Sequence, residues 1–227
     1  RAARQGLIGI AMNNGPAITP PYGGRKKVVA TNPISIAAPS GESTPVVLDM
    51  ATSRVAVGKV RVAHNKGEKM MPDALIDSEG NPTTDPGVMY SEPKGALRSM
   101  GLHKGYGLAV VCEALAGAFT GGGMFGSDGV PQGRIINNML AVLIDPDAFG
   151  ERAAFDAEVK EFTAWVKASP PASGVDEVMV PGEPERKSKI VRLANGVPID
   201  DTTFEDLLAA GETVGLDRGE AMRIIGN

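Results

Sequence analysis

The sequence predicts an α+β fold, on three grounds. Short apolar runs bounded by Gly, Pro and Asn, such as "GLIGIAM" (6–12) and "NMLAVLI" (138–144), read as strands. Longer runs carry helical spacing: within 105–120, Leu108, Val111, Cys112, Leu115 and Phe119 fall on one face. The two kinds of element mix without regular strand–helix–strand spacing, which argues against a doubly wound parallel sheet.

Taken in order, Arg1–Gln5 are good helix formers and Gly6 would end them. No initiating methionine or cap residue precedes them, so the opening reads as the tail of a helix and predicts a fragment of a longer chain. The strand at 6–12 runs into a loop, "NNGPAITPPYGG". A second strand region spans 27–39 and is interrupted at Asn32-Pro33. "TPVVLDMATS" (44–53) is a strand ending at Asp49. The following helix would be capped by Thr52 or Ser53 and would bury Val55, Val62 and Ala63. Residues 77–87 have loop composition. After the 105–120 helix comes a Gly-rich loop at 120–133, then the strand at 138–144. A helix at 151–169 would turn Phe155, Phe162, Trp165 and Val166 inward. "PPASG" (170–174) reads as a hinge, which divides the chain into a unit at 1–168 and a helical segment at 169–227. Two short helices are expected there, the first capped by Asp201 or Thr202.

Composition narrows the function classes. The 227 residues suffice for one sizeable domain, alone or with a smaller appendage, and 42% hydrophobic with 22% charged residues is ordinary globular usage. A net charge of −4 with both signs dispersed leaves no footprint for nucleic acid. No apolar run approaches the ~18–20 residues of a membrane span. The single cysteine, Cys112, excludes an internal disulfide and an all-cysteine metal site, and it fits a reducing compartment. No secretory signal is visible, so the cytoplasm is expected. The two histidines are far apart in sequence, no zinc spacing exists, and no G-x-S-x-G elbow occurs.

A few residues stand out. Gly121, Gly123 and Gly126 match G-x-G-x-x-G, but they follow a helix rather than a strand, so a dinucleotide fingerprint is rejected. His64 falls at a helix C-terminus, where the dipole favours it, and Cys112 sits on an apolar face as a small hydrophobe. Asp49, at a strand end, is either a helix cap or a cleft residue. His103 and Lys104 precede a helix N-terminus, which repels cations. The pair is therefore either solvated or shares its site with an anion.

Together, "GLIGIAMNN", "PPYGG", "ATNPISIAAP", "VVLDMATSRVAVGKV", "GNPTTDP", "HKGYGLAVVCEALAGAFTGG", "LIDPDAF" and "PGEPE" resemble, in order and over most of the chain, the malate/L-lactate dehydrogenase family that lacks a Rossmann fold. That family includes ureidoglycolate and sulfolactate dehydrogenases and cyclic imine-carboxylate reductases. The resemblance implies a largely antiparallel or mixed cofactor-binding sheet flanked by helices and a homodimer. It also implies transfer of hydride between NAD or NADP and a small 2-hydroxy or 2-oxo acid of malate or lactate type.

Residue by residue, Asp49, Met50 and Ala51 match the family's cofactor-lining "DMA". His103 and Lys104 lie in "HKG", whose lysine contacts the cofactor, and the helix N-terminus there would add amide donors for the same anion, with Gly105 allowing close approach. Gly182, Glu183 and Arg186 lie in the segment that closes over the nucleotide, and Thr31 matches a threonine near the substrate.

The departures are specific. The family's catalytic histidine and its substrate-gripping arginine lie upstream of the segment matching Arg1, so no catalytic residue is assigned within this chain. Gly15 stands where relatives often carry a cofactor-binding serine or threonine. "LRSMGLHKG" replaces "LPMGGHKG", with Arg98, Ser99 and Leu102 departing and Leu102 in place of a glycine. Lys59 replaces the aspartate of the imine reductases, which favours the hydroxy-acid branch. The alternatives are a non-catalytic nucleotide-binding or dimerisation fragment, and an imine reductase of the same fold.

Overall fold

The computed structural model describes residues 1–124 and 135–225, so Gly126 and most of the 120–133 loop lie outside the described residues. Its main sheet has four antiparallel strands in the order β3-β2-β1-β7: β1 (Ile8–Asn13), β2 (Ile34–Ala38), β3 (Val46–Met50) and β7 (Met139–Ile144). Between β3 and β7 the chain forms α1 (Val57–Asn65) and the two-residue strands β4 (Leu75–Ile76), β5 (Pro82–Thr83) and β6 (Ala96–Leu97). It then forms α2 (His103–Cys112), which runs on as a π-helical stretch, Glu113–Phe119. The short strands make a second antiparallel sheet, β5-β4-β6. Helices α3 (Arg152–Lys167), α4 (Glu183–Asn195), α5 (Asp201–Thr213) and α6 (Arg218–Ile225) complete the chain. The expected α+β class with an antiparallel sheet is what the structure has.

β1 is central in its sheet, with Ile10 opposite both Ile36 and Val142. A single 3-10 turn, Ala2–Gln5, precedes it and ends at Gly6, whose φ of 84° is the left-handed conformation that glycine adopts without strain. The Arg152 guanidinium donates to the Gly6 carbonyl (Nη1 at 2.7 Å), tying α3 to the start of β1. The best-buried apolar cluster, Val60, Ala63, Met70, Ala74, Leu75 and Leu97, lies between α1 and the small sheet.

Several local expectations are corrected. Neither Thr52 nor Ser53 caps α1: their hydroxyls donate to the carbonyls of Thr31 and Val55, and Ala56 occupies the cap without a side-chain bond. α1 buries Val60 and Ala63 while Val62 is exposed. On α2 and its π extension the buried residues are Gly105, Ala109, Cys112, Glu113, Ala116 and Gly117, whereas Val111 and Phe119 are exposed. Close approach explains this. A Cβ at Gly105 would stand 2.4 Å from the carbonyl oxygens of Met100 and Thr52, and one at Gly117 would stand 2.7 Å from Asn14 Nδ2. At Gly105 and Gly117 the face has no room for a side chain, and the larger apolar Val111 and Phe119 are left on the outside.

On α3, Phe155 and Val166 are half-buried, but Phe162 and Trp165 are exposed and lean on each other, with ring centroids 6.1 Å apart. Beyond the hinge there are three helices rather than two. Asp200, not Asp201 or Thr202, caps α5 by accepting from the Thr203 amide. The α5 helix meets α1 through Arg61–Asp206 at 2.8 Å and Asn65 Nδ2 donating to Thr203 Oγ1. No described helix is long and apolar enough to cross a membrane.

Candidate active site

Three of the segments that carry the resemblance, "ATNP", "DMATS" and "HKG", meet at one turn. After Asn32, whose φ is 24°, the chain enters β2, and the Thr31 carbonyl just before it accepts from both Thr52 N (2.8 Å) and Thr52 Oγ1 (2.9 Å). Thr52 follows Asp49, Met50 and Ala51 at the end of β3. Its own carbonyl accepts from Met100 N at 2.9 Å, and the Met100 carbonyl accepts from Gly105 N at 2.9 Å in the first turn of α2. A hydrogen-bonded path therefore runs from Thr31 through Thr52, the residue after "DMA", and Met100 to Gly105 of "HKG".

A cavity of about 450 Å³ opens beside this turn, lined by Asn13, Asn14, Gly15, Ala30, Thr31, Asn32, Val57 and Asn137 among others. That size falls within the range of small-molecule sites. Asn32 is fully buried and its Oδ1 has no hydrogen-bond partner, a costly arrangement for a polar atom away from water. At Gly15, a Cβ would meet Asn137 Oδ1 at 3.1 Å, so the space that a serine would enter is partly taken by that side chain.

Lys104 is exposed and makes no ion pair among the described residues, and Asp49 is likewise exposed and unpaired. His103 meets Tyr22 of "PPYGG" edge-on, with ring centroids 5.9 Å apart. The amides of Lys104 and Gly105 already donate to the carbonyls of Gly101 and Met100, so two of the donors expected for an anion are occupied. Gly105 makes its close approach to protein backbone.

Leu102, just before α2, adopts φ 57° and ψ −114° with nearly half its surface exposed. A positive φ favours glycine, the residue that the resemblance implies at this position. Leu102, Arg98 and Ser99 line a second cavity of about 590 Å³ with Tyr22, Arg25 and Glu79. Arg98 there pairs with Asp73 at 2.6 Å, and Arg25 with Glu79 at 2.7 Å.

Gly182, Glu183 and Arg186 lie at the other end of β3. Val47 N donates to the Pro181 carbonyl, and a Cβ on Gly182 (φ 94°) would come within 3.3 Å of Val47. Arg186 Nη1 donates to the Pro45 carbonyl at 3.2 Å. Glu183 accepts from Lys167 Nζ at 2.5 Å and from Val180 N at 2.9 Å, and these bonds hold its carboxyl below the usual range. Glu183 and Arg186 line a pocket of about 280 Å³ with Lys160 and Lys167. Three residues along β3, from Val47 to Met50, span roughly 10 Å, so the two groups of candidate residues occupy opposite ends of one edge strand.

Sequence reasoning passed over a buried polar cluster behind the first cavity. Glu113 is 8% exposed; its Oε1 accepts from Asn32 Nδ2 and its Oε2 from Asn14 Nδ2, each at 3.0 Å. The signal for it was a carboxylate between Cys112 and Ala116 in an otherwise apolar run, at the point where α2 turns π-helical, a distortion frequent at functional sites. Burial, reinforced by the Glu113 charge, pushes the Cys112 thiol up to about 11, which makes it a poor nucleophile. His64 stacks on Tyr90, ring centroids 4.5 Å apart, at the end of α1. Among the described residues no three His, Cys, Asp or Glu side chains gather as a metal site.

Comparison with known proteins shows the family. The family model described as malate/L-lactate dehydrogenase matches residues 1–208. Hydroxycarboxylate dehydrogenase B of Escherichia coli (strain K12) is 37% identical over 198 residues, 86% of this chain and 54% of that protein. An L-lactate dehydrogenase of Cupriavidus necator is 41% identical over 179 residues, 78% of this chain and 51% of that protein. The solved sulfolactate dehydrogenase of Methanocaldococcus jannaschii superposes with a TM-score of 0.77 at 33% identity, covering 96% of this chain and 62% of that one. The chain thus spans about half the length of the curated relatives it matches. With the family model covering most of its residues, this chain belongs to the malate/L-lactate dehydrogenase family.

Proposed function

We propose that this chain is the NAD- or NADP-binding part of an oxidoreductase that interconverts a small 2-hydroxy acid, of malate or lactate type, and its 2-oxo acid. The observation that carries the proposal is the hydrogen-bonded path Thr31–Thr52–Met100–Gly105, which ties the residue after Asp49–Ala51 to the first turn of the His103–Lys104 helix, next to a 450 Å³ cavity lined by Thr31. The residues present fit a dinucleotide. Lys104 is an exposed cation with no ion-pair partner among the described residues, and the cavity beside the turn is lined by polar residues, Asn13, Asn14, Thr31 and Asn137 among them.

In this reading Lys104 holds the cofactor's phosphate or ribose, with His103 beside it. Asp49, Met50 and Ala51 line its path along the end of β3, and Gly182, Glu183 and Arg186 close over the nucleotide from the far end. Thr31 faces the substrate. Hydride transfer is the chemistry that the nicotinamide supplies when bound, and this chain's share is orientation, charge and exclusion of water. The hydroxyl proton passes to a histidine that the family places outside this chain. Further parts of the proposal are a non-Rossmann nucleotide domain at 1–168 with a helical segment at 169–227, a homodimer, and a cytoplasmic setting.

The hydroxy-acid branch is preferred to imine reduction because Lys59 stands where the resemblance implies an aspartate in the imine reductases; Lys59 is exposed on α1 and borders a cavity with Glu185, Lys189 and Arg192 of α4. The test is a fluorescence titration of the chain with NADH and with NADPH. Saturable binding of one of them that weakens about tenfold in Lys104→Ala supports the proposal, on the scale of a lost charge-assisted contact. A folded chain that binds neither nucleotide leaves the reading of a non-catalytic dimerisation fragment.

A further inference from the structure

The cavity between α1 and α4 carries a charge that the protein's own packing does not use. Its volume is about 650 Å³, and three cations border it: Lys59 of α1, with Lys189 and Arg192 of α4. None of the three forms an ion pair among the described residues, in a chain whose net charge is −4. Other cations of α4 are engaged: Lys187 pairs with Glu177, and Arg186 donates to the Pro45 carbonyl. A single carboxylate, Glu185, borders the cavity, so positive charge predominates there.

Helix polarity accounts for Arg192, which lies in the last turn of α4. It does not account for Lys59, in the first turn of α1. The helix dipole disfavours a cation at that point, and neither an acidic residue in the turn nor a side-chain cap offsets it. Beside the cations, Pro184, Leu193 and Val197 give the cavity an apolar wall. Leu193 and Val197 remain 77% and 63% exposed, so no described element covers that wall. At this volume, apolar surface next to convergent positive charge suits a ligand with a flat apolar body and an anionic group.

The cavity also lies at the adenosine end of the proposed ligand. Thr31 faces the substrate in the reading above, which puts the nicotinamide at that end of β3. The adenosine then falls at the opposite end, where Gly182, Glu183 and Arg186 lie. Pro184 and Glu185 directly follow Glu183 and form part of the cavity wall. A phosphate monoester on the adenosine ribose sits next to the base and carries close to two negative charges near neutrality, which several cations match better than one.

We infer that this cavity is a subsite for the 2′-phosphate of the adenosine half: Lys59, Lys189 and Arg192 hold the phosphate, Pro184, Leu193 and Val197 flank the base, and the chain selects NADP(H) over NAD(H). The inference rests on the nucleotide-binding reading above and goes beyond it by choosing between the two cofactors.

The test measures dissociation constants of NADPH and NADH by fluorescence titration. It compares the wild-type chain with Lys59→Gln, Lys189→Gln, Arg192→Gln and the double variant Lys189→Gln/Arg192→Gln. The three side chains are exposed, so neutralising them removes no core contact, and thermal melts confirm that each variant is folded. Lys69→Gln, also exposed but away from the cavity, controls for the general field of the chain.

The wild type is expected to bind NADPH at least about tenfold more tightly than NADH. Each single variant should weaken NADPH about threefold to tenfold and the double variant more, while NADH changes less than about twofold. Added salt should weaken NADPH more than NADH on the wild type, and the double variant should lose that difference. A wild type that binds NADH as tightly as NADPH overturns the inference and leaves the nucleotide-binding reading in place. So does equal weakening of both nucleotides, as a structural role would give, and so does no weakening or a loss that Lys69→Gln reproduces. A folded wild-type chain that binds neither nucleotide overturns the function proposed above, and this inference with it.

Discussion

The carbonyl of Thr31 accepts two hydrogen bonds from Thr52, at 2.8 Å from the amide and 2.9 Å from the hydroxyl, and this pair holds the turn before β2 against the end of β3. Thr52 is 1% exposed, so its hydroxyl has no water to turn to. Thr52→Val keeps the shape and the amide bond but loses the second donor. Destabilisation of about 1 kcal/mol is expected, with a fall in Tm of roughly 2–4 °C, whereas Thr52→Ser should stay nearer the wild type. Thermal melts of the three chains check this.

Leu102 adopts a conformation that L side chains rarely take, with φ 57°, and its side chain is 48% exposed. Leu102→Gly relieves the strain and forfeits little burial. A gain of about 1 kcal/mol is expected from the usual cost of such backbone positions. A denaturant titration would show it as a higher midpoint with unchanged slope.

Two glycines of α2, two residues apart, should respond in opposite directions. At Gly105 a Cβ would sit 2.4 Å from two backbone oxygens, which cannot yield as a flexible side chain would, whereas at Gly107 nothing lies within 4 Å. Gly105→Ala is expected to destabilise by several kcal/mol, the order seen for overpacking and distortion of a buried contact. Gly107→Ala should stabilise by about 0.5–1 kcal/mol through helix propensity. Circular dichroism melts of both variants decide the matter.

Glu183 contributes a pH dependence of definite sign. Its hydrogen bonds from Lys167 and Val180 lower its carboxyl from the ordinary 4.5 in the folded chain. A lowered folded value means stabilisation that is present above the unfolded value and lost as pH falls through the folded one. Glu183→Gln should therefore be less stable than the wild type near neutrality, and the difference should shrink below about pH 5. Unfolding midpoints across that interval report it; a difference that stays constant down to pH 3 would remove Glu183 as its source.

The parts of the fold that were legible in the sequence are those set by local rules. Gly6 was readable as a helix stop because its left-handed φ is a glycine property. β1, β3 and β7 were readable because short apolar runs end in turn residues. Periodicity failed on α2, because it ranks residues by size and hydrophobicity, while the buried face there is chosen by how near Thr52, Met100 and Asn14 come. On α3 it marked Phe162 and Trp165 as inward, yet no described element covers them. Of the candidate site, Asp49 and Lys104 stood out by position, at a strand end and at a helix N-terminus, whereas Thr31 was legible only through resemblance. The bond between Asn32 and Glu113 joins residues 81 apart in sequence, and no spacing rule on one chain pairs them.

In the proposed function a nicotinamide dinucleotide lies along the stretch from Thr31 past Asp49–Ala51 to the start of α2. Amide hydrogen exchange of the chain with and without saturating NADH or NADPH, whichever binds, tests that location most directly. The expected result is slowed exchange in 30–35, 48–53 and 100–106, with weaker slowing near 181–187 and none in α5 or α6. Slowing confined to the 590 Å³ cavity, at 20–25 and 76–82, would place the ligand elsewhere and contradict the account.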